Sequence, residues 1–376
     1  MAGLYIHVPF CKTRCIYCDF YTRTHMEQKS PYVSALCKEL ALRSNYIGSE
    51  TISTIYFGGG TPSQLSESDF NAIFDAIYKT FEVDTDAEIT LEANPDDIDE
   101  EYVNMLRQTG FNRLSMGVQS FDDEQLRFLN RRHSAKKALE AVQRSQKAGF
   151  DNISIDLMYG LPNLRSDIWN RTLDTALSLN IQHISSYHLI YEQGTKLYRL
   201  LQKGDVKSVD EELSVEMFST LINRLSEAGF IHYEISNFGK KGHFSRHNSS
   251  YWLGAKYLGI GPSAHSYNGV DRCWNVSSIS KYIEGIEANK PHIETEKLDL
   301  HTRYNDFILT TMRTMWGIDR NKLKKQFGEK LAQYCDKNIE RHLRSGDVLL
   351  HEDNYTISSK GIFISDSIMS DLMYVG

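Results

Sequence analysis

In the first half of the chain, short runs of β-branched and aromatic residues alternate with longer segments whose apolar positions recur at helical spacing. The short runs are Leu4 to Val8, Ile52 to Phe57, Glu88 to Glu92, Arg113 to Met116, Ile153 to Met158 and Ile184 to Ile190, and each reads as a strand. The segments between them, such as Tyr32 to Arg43, Asp69 to Phe81, Glu101 to Gln108 and Ala135 to Lys147, read as helices, and several stop at Gly or Asn. Repeated βα units imply a parallel sheet with helices outside it. A closed eightfold barrel takes about 250 residues, whereas these six units occupy only about 190. The pattern therefore predicts an α/β fold built on a partial (β/α)6 barrel with a lateral opening.

Beyond Ile190 the periodicity loosens into a helix from about Asp210 to Ala228, a strand at His232 to Ile235 and a polar, glycine-containing stretch from Asn237 to Tyr267. That stretch reads as a platform closing the side of the barrel. From Leu298 the chain turns helical through Tyr304 to Trp316, Arg320 to Phe327 and Leu331 to Ser345. A hairpin of Val348 to Leu350 and Tyr355 to Ile357 follows, and then a helix near Phe363 to Met373. The expected organisation is a core domain at 1–230, a barrel-closing extension at 231–297 and a mainly helical, winged-helix-like C-terminal domain at 298–376. No fixed-period repeat and no low-complexity segment interrupts it.

Composition narrows the function classes. The 376 residues carry 42 basic and 49 acidic side chains, a formal charge of -7, without the dense basic tract that neutralises phosphates, so nucleic acid is not the expected partner. Eight Lys or Arg lie from Arg320 to Arg344 against three acids, which reads as a solvated helix face. Met1 to Phe10 runs straight into the first strand without an export signal, and no apolar run is long enough to span a bilayer. The cytoplasm is the expected location, with any membrane association peripheral. Three of six cysteines fall within eight positions, a pattern of metal or redox chemistry rather than of a disulfide framework.

Those three form Cys11-x3-Cys15-x2-Cys18, immediately after the first strand, where a barrel gathers its active site. Three thiolates can hold three irons of a cubane and leave the fourth open, whereas structural zinc wants four closed ligands and would have to recruit His7 or a distant cysteine. Cys37, Cys273 and Cys335 are isolated and read as buried or incidental thiols. After the second strand comes Phe57-Gly58-Gly59-Gly60-Thr61-Pro62-Ser63, a glycine run that lets backbone N–H and C=O groups approach a ligand. Alone it is only a turn. Arg246-His247-Asn248-Ser249-Ser250-Tyr251-Trp252 offers an imidazole capable of ligating iron beside rings that can pack on a flat ligand. On residue chemistry alone, a hydrogen-bonded loop anchored by buried aromatics accounts for it equally well. His7, His188 and His265 read as satisfied structural groups.

The cysteine spacing, with Tyr17 before the last cysteine, resembles the signature of the radical S-adenosylmethionine (SAM) superfamily. The resemblance implies a [4Fe-4S] cluster on Cys11, Cys15 and Cys18, with SAM chelating its open iron and cleaved reductively to a 5'-deoxyadenosyl radical. Further matches follow the HemN and HemW branch and by that resemblance line the SAM site: Tyr5, Tyr17, Gly59, Gly60, Thr61, Glu92, Gln119, Arg131 and Asp156. The Arg246–Trp252 segment resembles the HNxxYW motif of the haem chaperone family HemW, which implies His247 as a haem-linked residue. Haem as cargo, haemoprotein acceptors, dimerisation and association with membrane-bound acceptors are likewise implied only by that family. The oxidase of the branch, which decarboxylates coproporphyrinogen III, carries a further cysteine where this chain has Phe20, and an N-terminal extension before its first strand. Both departures favour the chaperone over the oxidase. A radical SAM enzyme acting on another substrate remains the third reading.

Overall fold

A computed structural model describes all 376 residues. Six strands form its parallel core: β1 (Ala2–Val8), β2 (Ile52–Gly59), β3 (Val83–Ala93), β4 (Arg113–Gln119), β5 (Ile153–Tyr159) and β6 (His183–His188). Each pairs in parallel with the next. The intervening helices pack outside, and their starts follow local chemistry. The Glu67–Thr80 helix opens on a capping box of Ser66 and Asp69, and Asp99 and Ser134 cap the next two long helices. The Ala135–Lys147 helix matches its predicted limits, and the other three named above match to within three residues. The core is apolar where strands meet helices. Leu4, Ile6, Phe57, Leu91, Leu114, Ile155 and Ile184 are fully buried.

The segment expected to form a platform proves more ordered and less local. β7 (Ile231–Glu234) and β8 (Asn237–Gly239) make a hairpin whose second strand adds antiparallel to β6. The chain then crosses through a helix at Arg246–Trp252, and β9 (Tyr257–Ile260) emerges at the opposite edge, parallel to β1. From there β10 (His265–Tyr267), β11 (Asp271–Asn275) and β12 (Ile293–Lys297) continue the sheet antiparallel. The result is one open twelve-stranded sheet, ordered β12-β11-β10-β9-β1-β2-β3-β4-β5-β6-β8-β7. The extension thus lengthens both edges of the barrel sheet instead of covering one side.

Residues from Leu300 onward have their own core, in which Tyr304, Ile308, Leu323, Ile339, Val348 and Leu372 are buried. Its helices are Leu300–Met312, Arg320–Ser345 and Ser365–Leu372. Gly328 takes φ 83°, which breaks the second into the two helices that the sequence pattern predicts. β13 (Ile318–Asp319), β14 (Val348–His351) and β15 (Asn354–Ile357) form the wing. No helix is long and apolar enough to cross a membrane.

Candidate functional site

The C-terminal ends of the parallel strands gather the cysteine loop, the glycine turn and most of the polar residues singled out above. Cys11 follows β1 directly and is buried, while Cys15 and Cys18 are half-buried. Thr61 Oγ1 donates to Cys11 Sγ at 3.3 Å, and Arg131 Nη1 donates to Cys15 Sγ at 3.4 Å. Burial pushes the Cys11 thiol up despite the Thr61 bond, and pushes Cys18 up to about 11. Loading a metal group there therefore has to displace protons. No three His, Cys, Asp or Glu side chains, these three thiols included, close on a single metal ion. Three separate thiols suit a cubane, whose irons each take one, better than a closed tetrahedral zinc site.

Backbone conformation brings the glycine turn against the cysteine loop. Gly59 adopts φ 105°, and a Cβ there would lie 2.6 Å from the His7 ring; one on Gly60 would lie 2.8 Å from the carbonyl oxygens of Val8 and Phe10. Only glycine permits both approaches. Gly59 N–H donates to Glu92 Oε2 at 3.1 Å, and Tyr56 Oη donates to Oε1 at 2.8 Å. Burial raises the pKa of Glu92, against these two bonds. Asp156 is pushed up to about 7, first by burial and then by the Glu92 charge, with Arg113 and Arg131 opposing. The two carboxyls thus share an enclosed space in which the Glu92 charge disfavours ionisation of Asp156.

Arg131 spans this space from the other side. Its Nη2 donates to Asn94 Oδ1 at 2.6 Å and to the Gly117 carbonyl, and its Nε is buried without a partner. Burial works against its charge, but Tyr17 and Cys15 outweigh that effect. Gln119 is held at φ 68°, a conformation rare for a residue with a side chain, and its amide lies over Gly117 beside the Arg131 guanidinium. Burial raises the Tyr17 phenol, which sits beside Cys15, Cys18 and Arg131. Tyr5 hydrogen-bonds His7 at 3.1 Å within the same wall. All the residues expected to line a SAM site therefore meet around one mouth. An orphaned guanidinium N–H, close-approach glycines and enclosed carboxyls suit a zwitterion carrying a ribose.

Three participants escaped the sequence reading. Asp97, almost fully buried, accepts from Lys12 (2.8 Å), Ser63 (2.9 Å), Gln64 (2.6 Å) and Arg132 (3.1 Å), clamping the cysteine loop to the glycine turn. Asn94 bridges Thr61 and Arg131. Arg113 lies 1% exposed inside the barrel with its Nε unpartnered, and its charge bears on Glu92, Asp156 and His247. Its only signal is placement on β4 in step with Ser115, Gly117 and Gln119, the lumen-facing positions.

His247 lies at the other end of the barrel. The Arg246–Trp252 helix plugs the lumen below the mouth, with Glu88 accepting from the Arg246 and His247 N–H groups at 3.0 and 2.9 Å. The His247 ring is buried, stacked 4.9 Å from Tyr56, and hydrogen-bonded through Nδ1 to Thr54 (2.8 Å) and through Nε2 to Tyr251 (2.7 Å). Burial, and then Arg113, lower its pKa to about 3. Neither nitrogen is free for a ligand in this conformation. The aromatic half of the same motif, Tyr251 and Trp252, instead faces a large cavity beside the C-terminal domain. His7 and His188 are both hydrogen-bonded, whereas His265 has no side-chain partner.

Comparison with known proteins gives the family and the fold. The Radical SAM superfamily profile matches residues 5–176, and the HemN C-terminal domain profile matches residues 298–364. The chain is 36% identical over 336 residues to the Bacillus subtilis heme chaperone HemW, covering 88% of each chain. It is 34% identical over 376 residues to the Mycobacterium tuberculosis (H37Rv) heme chaperone HemW, covering 99% of this chain and 94% of that one. The structure of the Escherichia coli radical SAM enzyme coproporphyrinogen III oxidase, HemN, superposes with a TM-score of 0.85, 22% identity and coverage of 99% and 90%. That likeness bears on fold, and the fold is the partial (β/α)6 radical SAM barrel with a helical C-terminal region. By sequence and by architecture, the chain belongs to the HemW family of the radical SAM superfamily.

Proposed function

We propose that this protein is a haem chaperone: it binds haem and passes it to acceptor haemoproteins, and it carries a [4Fe-4S] cluster on Cys11, Cys15 and Cys18 with SAM in the barrel mouth. End-to-end likeness to curated heme chaperones carries the reading. The chemistry of the mouth supports the cofactors. Arg131 offers an unpartnered Nε to a carboxylate, the Gly58-Gly59-Gly60 turn leaves room for backbone contact, and Asp156 can accept from ribose hydroxyls. A reduced cluster held by the three cysteines would supply one-electron chemistry to SAM there. The protein's own part is positioning: Asp97 holds the cysteine loop, Thr61 and Arg131 contact two of the sulfurs, and the Arg246–Trp252 helix closes the lumen below.

Exposed Phe20 stands where the oxidase carries its extra cysteine, so the chaperone reading predicts haem retention without decarboxylation. The test is anaerobic: the reconstituted protein is given haem in one sample, and coproporphyrinogen III with SAM and reductant in another. Stoichiometric bound haem and unchanged coproporphyrinogen are expected. Decarboxylated porphyrin would replace this reading with the oxidase.

A further inference from the structure

A cavity of about 660 Å³ lies between the Tyr251–Ala255 end of the plugging helix, strands β9 to β11 and the first two helices of the C-terminal domain. That volume is in the range of sites for cofactor-sized molecules. Its walls combine aromatic surface with positive charge. Tyr251, Trp252, Tyr257, Tyr267 and Phe307 supply the flat apolar part. Four cations, Arg272, Arg303, Arg313 and Lys322, face it against a single acid, Asp306. Arg272 is paired with Asp306, and Arg313 with Glu234 while lying 4.2 Å over the Trp252 ring. Arg303 and Lys322 have no acidic partner and donate no side-chain hydrogen bond to the protein, and the Arg303 Nε is buried without a partner. The Trp252 Nε1 is likewise buried and unpartnered. Two uncommitted cations in an aromatic-walled cleft are complementary to a flat molecule bearing two anionic groups.

His265 completes the set. It lines the cavity from β10, is exposed, stacks 5.6 Å from Trp274, and neither ring nitrogen bonds a protein group. It also lies close enough to His7 for its charge to bear on that ring, which places the cavity beside the barrel wall that carries Tyr5. Burial and the Arg272 charge lower its pKa, which keeps the imidazole neutral and able to ligate a metal.

We propose that this cavity is where the iron tetrapyrrole sits, with His265 as the protein ligand to iron and Arg303 and Lys322 pairing the two propionates. The inference rests on the haem-cargo reading above and departs at one point from what the family resemblance implies: the iron ligand is His265 rather than the enclosed His247. Tyr251 connects the two, because its ring borders the cavity and its hydroxyl bonds His247.

The test titrates ferric haem into the purified full-length chain and follows the Soret band and spin state, with haem dimethyl ester in parallel. His265→Ala should lose the histidine-ligated spectrum and weaken binding at least tenfold, and added imidazole should restore the spectrum. Arg303→Ala with Lys322→Ala should weaken haem at least tenfold and leave the dimethyl ester unchanged. Both sets of side chains are partly exposed, and matching melting temperatures check that the variants fold. Wild-type protein that takes up no haem would overturn the cargo reading itself. Wild-type uptake with unaltered spectra and affinities in these variants would leave that reading standing and overturn the pocket assignment.

Discussion

Three imidazoles inside the barrel are held neutral by enclosure, and the sign of their effect on stability follows. Burial lowers His7 to about 4, His247 to about 3, and His183 well below its usual value. Each takes a proton more readily in the unfolded chain, near pH 6.5, than in the folded one. The stability they contribute is complete above pH 6.5 and is lost as pH falls toward 4 and 3. Denaturant midpoints of the ligand-free protein should therefore drop between pH 7 and pH 5, and a flat profile would show that the folded chain accepts these protons. Asp156 has the opposite sign: its folded value of about 7 makes it increasingly unfavourable as pH rises from 3.8 to 7. Asp156→Asn should stabilise the ligand-free protein at pH 7 by more than about 1 kcal/mol while weakening SAM binding, measured by denaturation and by calorimetry. The cysteine triplet was legible because its spacing is local, as were the glycine turn and the polar residues at strand ends. Asp97 was not, because its four partners lie between 33 and 85 positions away and a pair of acids after Pro95 reads as ordinary surface residues. Asp97→Ala should leave the barrel folded yet loosen the cysteine loop, so that iron and acid-labile sulfide fall after reconstitution while far-ultraviolet circular dichroism is unchanged.

Among elements, the first helix and the added sheet edge are joined through one buried carboxylate. Glu39, fully buried on the Lys29–Leu42 helix, accepts from Arg43 (3.1 Å), Gly261 N–H (2.9 Å), Asn275 (2.7 Å) and Tyr282 (2.6 Å). Removing it strands a buried guanidinium and several donors, a loss of about 3–5 kcal/mol. Glu39→Ala should lower the unfolding free energy by that amount without changing the cysteine loop, and a change below about 1 kcal/mol would mean that water replaces the carboxylate. The sequence pattern revealed the helix that carries Glu39 but not its distant partners Gly261, Asn275 and Tyr282, which lie more than 200 positions later. The same distance hid the course of residues 237–267. Their short strands of three or four residues carry too little periodicity to be read alone, and they form because the open edges of β1 and β6 offer backbone partners.

At the scale of the whole molecule, the C-terminal domain is fastened to the barrel sheet through Glu234, which is nearly fully buried and pairs with Arg313 at 2.6 Å. Backbone bonds from Ile235 to Arg313 and from Met315 to Tyr233 flank that pair. Glu234→Ala should raise hydrogen exchange across β7 and the Leu300–Met312 helix while the β1–β5 core stays protected; unchanged exchange would assign the attachment to the flanking backbone bonds. Because Arg313 also borders the large cavity, the same joint sets how closely the cavity walls approach. The sequence by itself determined the class of fold, the six parallel strands and the cysteine triplet after the first of them, because strand alternation, helical spacing and a cysteine loop are encoded over stretches of tens of residues. Only the tertiary structure decided that the HNxxYW segment divides, its histidine buried by Thr54, Tyr56 and Tyr251 and its tryptophan turned toward the second domain. The physical reason is that a side chain's availability depends on which distant groups satisfy its polar atoms, and that is settled when the sheet edges and the two cores pack together.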